Sequence, residues 1–367
     1  MPIRLEPRGE ASATWVYLTP VLAVCLTVIA GGILFAALGF DPVRTLRAIF
    51  VEPLTSLYGL TELGVKATPL VLIAIGLSFG FRANVWNIGA EGQLTLGAIF
   101  GGGLALWFHG QEGPWLLPAM VIAGALGGAL WAAIPALLKT RFNANEILTS
   151  LMLTYVAAQL LAFLVYGPWR DPDGFNFPQS RMFGYDATMP LLVPGTRLHL
   201  GFGFALFAVA AGWLLIARTL IGFQIKVIGL TSAAAGYAGF SRNRIVWFTL
   251  LLSGGLAGIA GLAEVAGPIG QLVPSISPGY GFTAIIVAFL GRLHPLGILA
   301  AGALMALSYL GAESAQITIG LPLAATGVFQ GMLLFFLLGC DVLIRFRLRL
   351  GRKAPAVVAA KPLEVEA

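Results

Sequence analysis

Charge is what this chain lacks most. Asp, Glu, Lys and Arg make up 10% of its 367 residues and apolar types 58%. With a mean hydropathy of +0.89, that balance excludes a soluble globular domain, in which charged residues are about a quarter. Cysteine is nearly absent: Cys25 and Cys340 both fall inside apolar runs, so no disulfide framework is expected and both read as small packing residues. The three histidines, His109, His199 and His294, are scattered, and the lack of a His-Glu-x-x-His pattern gives an intramembrane metalloprotease no support. No Gly-x-x-x-x-Gly-Lys-[Ser/Thr] loop occurs, nor even a Gly-Lys pair, so nucleotide hydrolysis is not assigned to this chain. Also missing are the ten-residue segments of alternating polarity that mark a transmembrane barrel.

What is present is apolar sequence in lengths suited to a bilayer, about 20 residues at a time. Ten such segments are predicted, at 15–38, 62–80, 88–108, 114–138, 147–166, 200–217, 245–266, 282–291, 295–313 and 322–344. The fold class is therefore all-α, a polytopic transmembrane helical bundle. The first segment exceeds the apolar core of a signal peptide and reads as a retained helix. The eighth is too short to cross as a helix and reads as a half-helix or re-entrant limb, tolerated where protein or a wet cavity covers its backbone.

The formal charge of +6 is attributed to cytoplasmic flanks of membrane helices, not to nucleic-acid binding. Lys139 and Arg141, then Arg218, Lys226, Arg242 and Arg244, then Arg345, Arg347, Arg349, Arg352 and Lys353 form three basic stretches. With these cytoplasmic, the parity of ten segments puts both termini inside. Residues 1–14 become a cytoplasmic tail, 15–344 the membrane domain and 345–367 a basic cytoplasmic tail. The loop 167–198, balanced in charge, falls outside, long enough to lie over an entrance. Arg44 and Arg47 in the first outer loop fit the rule less well.

Residues 218–244 are too long for a simple connection. "TSAAAGYAGFS" within them predicts a short helix, capped at Thr231 or Ser232 and ending at Gly239, whose bare surface lets another backbone approach; an amphipathic helix at the membrane surface is the alternative. In "FRANVWNIGAEGQ", residues 81–93, two readings stand side by side. Asn87, Glu91 and Gln93 line a helix break beside a solute path, or Asn87 caps a helix starting at the cytoplasmic face, with Arg82 reaching lipid headgroups. Glu264 is a further path candidate that can pair with Arg292 or sit at a helix end. Glu146, with Asn143 and Asn145, reads as a cap of the fifth segment. "GALGGAL", "SGGLAGIAG" and "GILAAGALMAL" offer small-residue faces for close helix crossing.

The segment 218–244 resembles the cytoplasmic coupling helix of permease subunits of ATP-binding-cassette importers for branched-chain amino acids, simple sugars and nucleosides. Gly229, Ala233, Ala234, Tyr237, Ala238 and Gly239 fall in its register, while Thr231 and Ser232 stand where that group commonly has Asn-Pro. "NIGAEGQ", Asn87 to Gln93, is similar to the Asn-Ile-Gly-x-Glu-Gly-Gln of its nucleoside-type permeases. The resemblance continues through "SGGLAGIAGLAEVAG" and "GYGFTAIIVAFLGRLHPLG". It implies a bacterial plasma (inner) membrane subunit that forms a solute path with a second homologous permease or a second copy. The implied partners are cytoplasmic ATPase subunits, which hydrolyse ATP with Mg, and an extracytoplasmic solute-binding protein; this chain binds no cofactor itself. Nucleosides are the expected substrate and simple sugars the alternative. From a different class, an ion-coupled secondary transporter competes, but it needs no docking surface for an ATPase.

Overall fold

A computed structural model describes residues 3–7, 13–111 and 113–350. In chain order the helices are α1 (Ala13–Ala37), α2 (Pro42–Phe50), α3 (Leu57–Arg82), α4 (Ala90–Trp107), α5 (Leu116–Phe142), α6 (Glu146–Tyr166), α7 (Gly201–Arg218), α8 (Leu220–Leu230), α9 (Ser232–Tyr237), α10 (Arg242–Glu264), α11 (Tyr280–Leu290), α12 (Pro295–Ile319) and α13 (Leu323–Arg345). Ten of them coincide with the ten predicted segments. Eight are long and apolar enough to cross a membrane. Of the other two, α4 carries Glu91 and Gln93 in its first turn, and α11 has 11 residues, about 16 Å of helix. Arg352 and Lys353 lie outside the described residues.

The chain divides into two compact units. The larger, Val43–Thr326, is organised around α3, whose residues from Thr61 to Phe81 are nearly all buried and which packs against α7, α10, α11 and α12. Burying every face of one helix requires its neighbours to come close, and small residues make that possible. Beside it α4, α5 and α10 cross at glycines. A Cβ added at Gly97 would stand 2.2 Å from the Gly258 Cα, and one at Gly128 would stand 2.1 Å from the Gly254 carbonyl. Toward the outside, α5 turns Ile122, Leu126 and Leu130 outward and α6 turns Tyr155 and Phe163, the apolar exterior expected where lipid is the solvent.

Two helices are absent from the sequence prediction. Amphipathic α2 buries Thr45, Ala48 and Ile49 against Gly311 of α12 and leaves Arg44 and Arg47 exposed. That explains why those arginines fit a loop poorly. The second, α8, occupies the first part of the 218–244 segment.

The smaller unit, Met1–Pro42 with Gly327–Ala367, holds α1 and most of α13. The Phe329 ring fits over Gly31 and stacks on Phe35 at 5.9 Å. Strands β1 (Ile3–Pro7) and β2 (Phe346–Leu350) pair antiparallel, with Leu5 opposite Leu348. Apart from this ribbon and an isolated bridge between Leu191 and His199, regular structure among the described residues is helical.

Candidate solute path and coupling segment

At the end of α3 the chain reverses. Asn84 adopts φ 55° and Val85 N–H donates back to the Gly80 carbonyl at 2.8 Å. Residues 85–89 then re-enter the bundle without helical bonds, so each buried N–H needs another partner. Trp86 N–H donates to Glu146 Oε1 at 3.4 Å, Ile88 N–H to Ser150 Oγ at 3.2 Å and Gly89 N–H to Asn87 Oδ1 at 3.1 Å. The amides of Asn87 and Gln93, each 1% exposed, pair reciprocally at 2.8 and 3.0 Å, and Asn87 Nδ2 also donates to Ser253 Oγ at 3.0 Å.

This geometry corrects one sequence expectation: the cap position of α4 is Gly89, not Asn87. The motif enters the bundle from the end where α6 starts: Trp86 meets Glu146, the first residue of α6, Ile88 meets Ser150 four residues farther in, and Asn87 reaches Ser253, eleven residues into α10. Asn87 and Gln93 pair with each other, and Asn87 also with Ser253 and the Gly89 N–H, which braces the break.

Glu91 has another position. Its Oε2 accepts from Gly281 N–H at 2.6 Å, and beside it Ser277 Oγ accepts from Gly279 N–H at 3.1 Å and Tyr280 N–H at 2.9 Å. Glu91 covers the start of α11, where unpaired N–H groups and the helix dipole favour a negative charge. A Cβ on Gly281 would stand 2.3 Å from Glu91 N, so two helix starts meet here, inside the bundle. At the other end of α11 the Leu293 carbonyl accepts from Arg82 Nε and Nη2 at 3.2 and 3.0 Å. Arg82 is thus tied to protein and does not reach out to headgroups. Phe81, Trp86 and Phe289 stack between α3, the re-entrant stretch and α11 with centroids 5.0 to 5.8 Å apart. The non-helical residues 270–279, at most about 35 Å when extended, lead from the end of α10 into the start of α11.

A line of polar groups continues from Glu91 between α3, α10, α11 and α12. Thr283 Oγ1 and Tyr309 Oη lie 2.7 Å apart, and the Tyr280 and Tyr309 rings meet edge-on at 5.7 Å. Farther along, Lys66 pairs with Glu313 at 2.7 Å, and Arg197 makes a two-pronged ion pair with buried Glu62. That carboxylate holds the guanidinium pKa above its ordinary value. Glu264 lies within electrostatic range of Lys66, Arg197 and Glu313; Arg292 follows the opposite end of α11, so the pairing considered from sequence does not form. Glu62, Lys66, Glu313 and Tyr309 were missed from sequence, although Glu62 and Lys66, four residues apart in an apolar run, share one helix face. By contrast, the cavity of about 660 Å³ beside α3, α7 and α10 is lined by apolar residues, including Leu72, Phe79, Phe204 and Phe207, and offers a polar solute nothing.

Loop 167–198 is tied along the chain leaving α10. Ser180 N–H donates to the Leu272 carbonyl at 2.9 Å, Phe183 N–H to Gly270 at 2.8 Å and Met189 N–H to Ala266 at 2.8 Å. His199, just beyond it, is buried and accepts from Gly201 N–H at 3.2 Å; desolvation pushes its pKa down to about 4. Near the opposite end of the bundle, Asn145 caps α6 by accepting from Ile147 N–H at 2.9 Å and Leu148 N–H at 3.4 Å. Glu146, expected as a cap, instead pairs with Lys139 at 2.5 Å.

The coupling candidates divide. Ala233, Ala234, Tyr237, Ala238 and Gly239 are exposed, Tyr237 at 96%, while Ala235 alone of α9 is buried. Gly239 has φ 76°, which favours glycine. Gly229 differs: a Cβ there would stand 1.8 Å from the Arg82 carbonyl oxygen, so it joins α8 to the end of α3. The result is a small bare helix held out from the bundle by a tightly packed root.

Eight long apolar helices, a broken helix start inside the bundle and a bare exposed helix define a multi-pass membrane transport subunit. Residues 59–338 match the family described as branched-chain amino acid transport system / permease component, and the chain belongs to that family. It is the membrane-spanning permease subunit of an ATP-binding-cassette importer. It is 39% identical to the glucose ABC transporter permease protein TsgB13 of Haloferax volcanii, covering 96% of this chain and 97% of that one. It is also 28% identical to the guanosine ABC transporter permease protein NupP of Bacillus subtilis, over 87% and 92% of the two chains. To the nucleoside ABC transporter permease protein NupB of Lactococcus lactis subsp. cremoris it is 27% identical, over 87% and 90%.

Proposed function

We propose that this permease carries nucleosides inward across the bacterial plasma (inner) membrane along the polar line from Arg197 to Glu91. The observation that carries the reading is the continuity of that line through an otherwise apolar bundle, ending where the starts of α4 and α11 meet. Support for nucleosides comes from "NIGAEGQ" and from the nucleoside and guanosine permeases among its relatives. The glucose permease at 39% identity favours a second reading, simple sugars.

In this proposal both termini, Arg82 and α9 are cytoplasmic, and a second permease or second copy completes the path. Two ATPase subunits, binding ATP and Mg, dock on the Ala233–Gly239 face; an extracytoplasmic binding protein delivers solute to the Arg197 end. Docking is supported by the exposure of α9 and by its rigid root at Gly229. The test is uptake by the complete complex in proteoliposomes, given a panel of nucleosides, sugars and amino acids with and without ATP. ATP-dependent nucleoside uptake is expected. Uptake of glucose alone would establish the second reading, and uptake driven by an ion gradient without ATP would overturn both.

A further inference from the structure

Glu264 is the one group of the Arg197-end cluster left without a bonded partner among the described residues. Its neighbours are committed: Lys66 to Glu313 and Arg197 to Glu62. Glu264 itself makes no hydrogen bond or ion pair to a described residue, yet its side chain is only partly covered and its oxygens are not sealed from a water-sized probe. A carboxylate deep in apolar protein is costly unless paired or wetted, so this one is built to receive donors from something that is not part of the chain. The groups within electrostatic range of it are a specific set. Lys66 keeps donors beyond the one given to Glu313, and Tyr280, whose ring meets Tyr309 edge-on, lies within electrostatic range of Glu264.

We propose that Glu264 is a specificity-determining contact for a pair of adjacent hydroxyl groups on the transported solute. Two neighbouring hydroxyls donate to the two carboxylate oxygens, as a planar bidentate donor does. Lys66 donates to a solute oxygen, and partly exposed Tyr309, backed edge-on by buried Tyr280, supplies an aromatic wall for a ring. The class recognised is a neutral ring bearing a vicinal diol, which a ribonucleoside and a hexose share and a dideoxy compound lacks. The assignment rests on the proposal that this polar line is the solute path. A site that hydrogen-bonds a hydroxyl discriminates strongly against a solute without it, because the buried acceptor is left unpaired.

The test is a ratio of initial uptake rates by the complete reconstituted transporter, for adenosine and 2′,3′-dideoxyadenosine, each at a concentration that saturates the binding protein, so that loading is equal. The wild type is expected to favour adenosine by about tenfold or more, the size of a lost hydrogen bond to a charged group. Glu264→Gln should bring the ratio toward one. The ratio is internal to each sample and does not depend on how much protein assembles. Should Glu264→Gln fail to assemble, Glu264→Asp, whose carboxylate is drawn back by one methylene, should lower the ratio about threefold. A wild-type ratio near one, or a ratio unchanged by the substitution that assembles, overturns the proposal. If neither nucleoside is carried, the nucleoside reading fails separately, and the same ratio for glucose and its 2,3-dideoxy analogue decides the diol contact.

Discussion

Among single residues, Asn87 carries the most structure. Its amide joins Gln93, Ser253 and the Gly89 N–H inside the bundle. Asn87→Ala leaves several buried polar groups unsatisfied, a cost of about 2–4 kcal/mol. A clearly lower unfolding midpoint for the detergent-solubilised protein is expected, and an unchanged midpoint would show that the network is not stabilising. His199 gives a pH signature. Its folded-state pKa is lowered to about 4, so the unfolded chain takes up the proton first. The stability it allows is complete above about pH 6.5 and declines as pH falls toward 4, by up to about 3 kcal/mol. Melting curves at pH 7.5 and 4.5 should separate more for the wild type than for His199→Gln. At this scale the sequence is partly legible. Glu91 and Glu264 stand out as charges in apolar runs, but nothing in the one-dimensional pattern says that Asn87 and Gln93 satisfy each other or that Arg82 meets Leu293. Those bonds depend on chain reversal at Asn84 and on a partner 211 residues away.

Elements were read more securely than residues, because a twenty-residue apolar run has few alternatives in a bilayer. The short α11 was foreseen from the length of its run; that it starts against α4 was not, since that position is set by contact of Gly281 with Glu91. Amphipathic α2 escaped because nine residues with two arginines resemble a charged loop. The coupling helix α9 makes a sharp contrast with its root. Ala234→Trp, on the exposed face, is expected to leave the permease folded and inserted while reducing ATP-driven uptake at least about tenfold, a cost near 1.4 kcal/mol at a docking surface. Gly229→Leu, where a side chain meets the Arg82 backbone, is expected instead to lower expression and thermal stability. Size-exclusion profiles, melting points and transport measured on both variants check the distinction; matching defects in the two would remove it.

For the whole molecule, the fold supplies one apolar cavity and one line of polar side chains, and their chemistry differs. One is the apolar cavity beside α3 and α7, suited to hydrocarbon. The other is the polar line through Glu264 and Tyr309, beginning at an ion pair and ending on the start of a half-helix. Broken helices whose ends meet inside a bundle are a recurring way to give a polar solute backbone and side-chain partners within a bilayer. The central claim is that solute follows the second route. The most direct measurement replaces Cys25 and Cys340 with alanine and places single cysteines at Glu313, Tyr309, Leu72 and Phe204. Each variant, in the assembled complex, is then treated with a charged, water-soluble thiol reagent in the presence and absence of transported solute. Labelling at 313 and 309 that solute slows is expected, with little labelling at 72 and 204. Solute-protected labelling at 72 or 204, with 313 and 309 unreactive, would contradict the claim.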